Sequence, residues 1–121
     1  MRAAACIALC VVAGGTFHLR AAEAATLAEP TDDELAKIRE AAPEKPTVAP
    51  KSPRKVLVFS LVPTGYVHSA IPYGKAALRS IAEKTGAFSV EFSDDIAVFE
   101  PESLKRFDAV FFNNANSELF L

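Results

Sequence analysis

The sequence predicts an α/β domain organised around a parallel sheet. Three observations carry this. Val56-Leu57-Val58-Phe59 is an unbroken run of β-branched, aliphatic and aromatic residues, which suits a strand buried on both faces. A segment with a helical apolar period follows it after a turn cluster. A further apolar run, Phe107 to Phe112, comes after a second strand and a single helical turn. The order strand, helix, strand, short helix, strand favours parallel pairing with right-handed crossovers.

Each element has a local reason. Thr31 to Ala42 reads as a short helix: Thr31 with Glu34 forms a capping-box pattern, and Asp32, Asp33 and Glu34 suit a positive helix N-terminus. Leu35, Ile38 and Ala42 give it one narrow apolar stripe, which leaves open whether it docks on the domain or frays in solvent. Pro43, Pro46, Pro50 and Pro53 mark a stiff extended linker. The basic residues Lys51, Arg54 and Lys55 read as part of a solubilising spacer, with Arg54 and Lys55 at the solvated start of the first strand.

After that strand, Pro63-Thr64-Gly65 breaks regular structure, and Pro72 suits a first helical position, where its missing N–H costs nothing. Ile71, Gly74, Leu78, Ile81, Ala82 and Thr85 repeat with a period near 3.6, and Gly86 supplies the helix stop. In Ala87 to Ser93, Phe88, Val90 and Phe92 alternate with Ser89, Glu91 and Ser93, the pattern of an edge strand with one wet face. Pro101 to Lys105 reads as one helical turn, and Asn113-Asn114 as the turn after the third strand. The arrangement this favours is flavodoxin-like, with the first strand central and the second and third on either side. Three strands and one full helix, with an apolar ending at Glu118-Leu119-Phe120-Leu121, read as an α/β sheet truncated after about three strands, the other sheet face lacking its later helices.

The first residues have the order of an export signal: Arg2, an apolar stretch from Ala3 to Gly15, and the small-x-small site Ala22-Glu23-Ala24, with the cut before Ala25. The apolar stretch falls short of the roughly 20 residues that span a bilayer. The alternative is an Ala-rich helix that is retained. Export predicts a periplasmic or extracellular protein with no stable membrane anchor after cleavage. Both cysteines, Cys6 and Cys10, and His18 lie in the removed segment, which leaves no disulfide and no cysteine nucleophile. Residues 25–53 then form the short helix and linker, and residues 54–121 the sheet domain.

A net charge of −2 in 121 residues argues against a nucleic-acid surface. The residues that carry chemistry cluster in the loop after the first strand. His68, at the carboxyl edge where open α/β sheets bind ligands, suits a sugar-hydroxyl contact, a general acid/base or a metal ligand; its plain alternative is a loop histidine bonded to backbone. No other histidine or cysteine remains to complete a metal site, so no cofactor is expected. Tyr66 suits stacking on a sugar ring or plugging the loop against the sheet. Ser69 stands beside a base in sequence, which is not triad geometry, and its expected task is capping the next helix. Asn113 and Asn114 carry amides that both donate and accept, which suits sugar hydroxyls as well as an ordinary turn. Asp94-Asp95 reads as a solvated turn, because glycosidase carboxylates flank a bond from opposite sides about 5–9.5 Å apart.

The segment Gly65 to Pro72, GYVHSAIP, resembles the G-F/Y-x-H-S-x-I-P loop of the ThuA-like (trehalose-utilisation) family. KTGAF (Lys84–Phe88), SDDIAVFEPESLKRFDAV (Ser93–Val110) and FFNNANSELF (Phe111–Phe120) resemble it too, so the likeness runs from about Thr31 to Leu121. It implies a class I glutamine amidotransferase-like fold, of which residues 54–121 would be the N-terminal part. It also implies a sugar ligand and a link to disaccharide or oxidised-sugar utilisation, with no reaction defined. The competing expectations are a carbohydrate-binding or structural domain without catalysis, and a truncated product without activity.

Overall fold

A computed structural model describes residues 27–116 and 118–120. The export-signal reading of residues 1–24 lies outside them. Among the described residues no helix is long and apolar enough to cross a membrane.

The sheet has three parallel strands in the order β2-β1-β3. β1 (Lys55–Phe59) is central, with β2 (Ser89–Ser93) on one side and β3 (Ala109–Phe112) on the other. The apolar run of β1 is buried because it has a neighbour on both edges and cover on both faces: Leu57, Val58 and Phe59 are fully inaccessible. Strand alternation puts Leu57 and Phe59 on one face and Val58 on the other.

Leu57 and Phe59 form the main core with Val98, packed round by Leu61, Phe99, Phe107, Val110, Ala115 and Leu119. Val98 and Phe99 belong to a 3-10 turn, Ile96–Phe99, that follows β2. Asp95 starts it by accepting a hydrogen bond from the Ala97 N–H at 2.9 Å, so Asp95 has a structural task beyond a solvated turn. Phe120 packs edge-on against Phe99, ring centres 4.9 Å apart. The face expected to lack cover is therefore partly closed by local structure, the 3-10 turn and residues near the chain end.

On the opposite face lies α2 (Ile71–Thr85), the crossover from β1 to β2, which buries Ile71, Pro72, Ala76 and Ala82. The helix begins one residue before Pro72, which takes its second position. Gly86 stops it with φ +60, a left-handed geometry that suits glycine, and donates its N–H to Ala82 O at 2.9 Å. A short helix, α3 (Pro101–Leu104), leads into β3.

The leading helix docks. α1 (Asp32–Ala41) has the capping box that its sequence suggests, and it packs on the outer side of α2. The Tyr73 phenol donates to Glu34 Oε1 at 2.9 Å, and the Lys84 ammonium donates to Arg39 O and Ala42 O, each at 2.8 Å. The Thr31 backbone N–H, the Thr31 hydroxyl and the Tyr73 phenol hold the Glu34 carboxyl below its ordinary range, and the same bond raises Tyr73. The narrow stripe of α1 is thus matched by polar ties at both of its ends, which residue periodicity alone does not reveal.

The amino edge of the sheet is a charged clamp. The Asp108 carboxylate accepts from the Lys55 backbone N–H and from the Arg54 guanidinium, both at 2.8 Å. Glu91 accepts from Lys55 at 2.5 Å and from Arg106 at 3.3 Å. These bonds lower both carboxyls, with the Lys55 N–H the leading cause for Asp108 and the Lys55 ammonium for Glu91. Arg54 and Lys55 are therefore part of the sheet's pairing and not of a free spacer.

Candidate functional site

The carboxyl edge is built from the ends of all three strands. Ser60 N donates to Ser93 O at 3.1 Å and Asn113 N donates to Phe59 O at 2.8 Å, which carries the pairing one step past the strands. The loop of residues 60–70 leaves from this edge, turns at Gly65 and returns to the start of α2.

Tyr66 is 68% exposed, and His68 is exposed beside it, their rings edge-to-face with centres 4.7 Å apart. Among the described residues the His68 ring has no hydrogen-bond partner; its backbone carbonyl accepts from Ile71 N at 3.2 Å. Ser69 does not cap α2. The capping position is Ala70, which has no hydrogen-bonding side chain for the task, because the helix starts at Ile71.

Asn113 has a structural task. Its Nδ2 donates to Ile71 O at 2.9 Å and to Ser60 Oγ at 3.3 Å, tying the end of β3 to the first turn of α2 and to the end of β1. Ile71 thus gives its N–H to His68 and its carbonyl to Asn113, which brings the loop and the Asn113 turn to one place. Asn114 takes a left-handed φ of +58, which asparagine tolerates, and its buried Nδ2 has no partner among the described residues.

This close approach needs Gly74. A Cβ there would stand 2.5 Å from Asn113 Oδ1 and 3.1 Å from Cγ. In an ordinary helix interior, alanine is about 1 kcal/mol better than glycine. Here Gly74→Ala is expected to displace the Asn113 amide and lose two hydrogen bonds at about 1 kcal/mol each, a net loss of about 1 kcal/mol. In an Asn113→Ala background the same substitution should stabilise. Denaturant titration of the four variants checks this through the change of sign.

A cleft of about 350 Å³ opens at the same edge, between the end of β1, the start of α2 and the end of β2. Ser60, Lys75 and Asp94 line it, with Leu61 and Ile71 as apolar walls, and Glu29 reaches it from the segment before α1. Sequence reading missed Lys75, Ser60 and Glu29. Lys75 stands four residues after Ile71, on the same helix face, a spacing that could have found it. Glu29 has no such signal, since it arrives through the docking of α1. Among the described residues no group of three His, Cys, Asp or Glu side chains could hold a metal ion.

Comparison with protein-family models, with characterised proteins and with solved structures gave no significant match.

Proposed function

We propose that the chain is a ThuA-like α/β domain of the flavodoxin-like, class I glutamine amidotransferase-like type, exported to the periplasm or cell exterior. Its carboxyl edge takes a sugar of the disaccharide or oxidised-sugar class. The observation that carries this reading is the meeting of the GYVHSAIP loop, the Asn113 turn and a polar cleft at one sheet edge. Open α/β sheets place ligands there. Tyr66 offers an exposed ring for a sugar face, and His68 a donor or acceptor beside it.

A second reading, binding without catalysis, is favoured by the surroundings of His68. A catalytic base is oriented by a third group, and among the described residues His68 has only the Tyr66 ring. No reaction is therefore assigned.

Calorimetric titration of trehalose and an oxidised disaccharide tests the proposal. Tyr66→Ala and His68→Ala should each weaken binding about tenfold, equal to about 1.4 kcal/mol. Both side chains are exposed, so their removal opens no core cavity and the melting temperature should hold. Unchanged affinity with lowered melting would make the pair structural.

A further inference from the structure

We propose that the carboxyl-edge cleft takes a polyhydroxylated monocarboxylate, a sugar acid, with its carboxylate at Lys75 and its hydroxyls at Asp94, Glu29 and Ser60. This rests on the sugar-site reading above and narrows it to one ligand charge.

The first observation is the pairing of lysines. Lys55, Lys75 and Lys84 are the half-buried lysines among the described residues. Lys55 is paired with Glu91 and Lys84 with Glu44. Lys75 alone of the three has no ion-pair partner among those residues, and it lines a cleft. A cleft-lining lysine without a counter-charge can bond an incoming anion through charge-assisted hydrogen bonds.

The second observation is the separation of charge in the cleft. Asp94 and Glu29 line the same space, yet neither pairs with Lys75. The cleft thus offers one cation and two hydrogen-bond-accepting carboxylates as distinct stations. A ligand that satisfies all of them needs one negative group and several donors. A carboxylate bonds the ammonium, hydroxyls donate to Asp94 and Glu29, and Ser60 can donate or accept. A dianion such as phosphate is disfavoured by the two carboxylates, and a neutral sugar leaves Lys75 unpaired. Leu61 and Ile71 give the ligand's C–H faces an apolar wall. The cleft volume of about 350 Å³ lies in the range of small-molecule sites, about 300–1,000 Å³.

The test is calorimetry of the whole chain with glucuronate, gluconate, glucose and glycine, at low salt and at high salt. The expected result is that an acid binds at least about tenfold tighter than glucose, a preference of about 1.4 kcal/mol that salt weakens. Lys75→Met should abolish the preference without moving the melting curve, and Lys75→Arg should restore most of it. Equal affinity for glucuronate, gluconate and glucose, or an acid preference that survives Lys75→Met, overturns the inference and leaves the sugar-site reading standing. Tighter binding of glycine than of the acids assigns the cleft to zwitterions and also overturns it. Failure of every sugar and sugar acid to bind overturns both readings.

Discussion

Phe59→Ala should abolish cooperative folding near physiological temperature. Phe59 is fully buried in the central strand, paired with Ser93 of β2 on one side and Phe112 of β3 on the other. Its ring packs edge-on against Phe99, centres 4.8 Å apart, and against Phe112 at 6.1 Å. Phe99 in turn stacks on Phe112 and meets Phe120, so one ring anchors the 3-10 turn, β3 and the residues near the chain end. Truncating a buried phenylalanine to alanine costs about 3–5 kcal/mol, against a total stability of about 5–15 kcal/mol for a whole domain. A sheet of three short strands belongs at the low end of that range. Thermal melting by circular dichroism checks this. Phe120→Ala, at a ring left mostly exposed, is the control and should lower the midpoint far less. Equal midpoints for Phe59→Ala and the unmodified chain would place the core elsewhere.

Lys84→Met should release α1 while leaving the sheet intact. The Lys84 side chain is only 13% exposed, and its ammonium serves three acceptors: the carbonyls of Arg39 and Ala42, and Glu44 at 2.6 Å. Those carbonyls end α1, where the helix has no further N–H to offer them. Methionine keeps the stem's packing and removes all three bonds. Hydrogen bonds to a charged group contribute about 1.5–3 kcal/mol, so a loss of about 2–3 kcal/mol is expected at this joint. Helices shorter than about 12 residues do not hold in water unaided, so α1 should fray rather than stand alone. Amide hydrogen exchange checks it: protection should vanish across Asp32–Ala41 and persist in β1. Retained protection in α1 would show that its apolar stripe suffices.

The legible parts of the fold were those written in local pattern. The unbroken run at Val56–Phe59 placed the central strand, and the alternation at Phe88–Phe92 placed β2 at an edge. The Thr31–Glu34 pair gave the start of α1, and Gly86 the end of α2. What sequence could not give was long-range. Whether α1 docks depends on Tyr73 and Lys84, some forty residues away in the chain. Arg54 looked like linker because its partner, Asp108, stands 54 residues on, directly before β3. Ser69 looked like a cap because it stands shortly before Pro72, yet the helix starts at Ile71 and its capping position falls on Ala70.

The site was legible in the same uneven way. The loop after β1 is readable as a ligand edge from strand order, and Tyr66 and His68 do lie together there. Asn113 looked like a sugar contact, yet its donor group is engaged with Ile71 and Ser60. An amide's residue type gives its capacity and not its partner. The cleft residue Lys75 belongs to α2 and Glu29 to the segment before α1, and only tertiary packing brings them to one edge.

The assignment of a sugar site to the carboxyl edge is tested most directly by mapping backbone amide shifts in NMR spectra as a disaccharide or sugar acid is added. The shifts should concentrate in Ser60–Ile71, at Asp94 and at Asn113, and leave Arg54, Glu91 and Asp108 at the amino edge still. Saturable shifts centred on the amino edge, or none at millimolar sugar, would contradict the assignment.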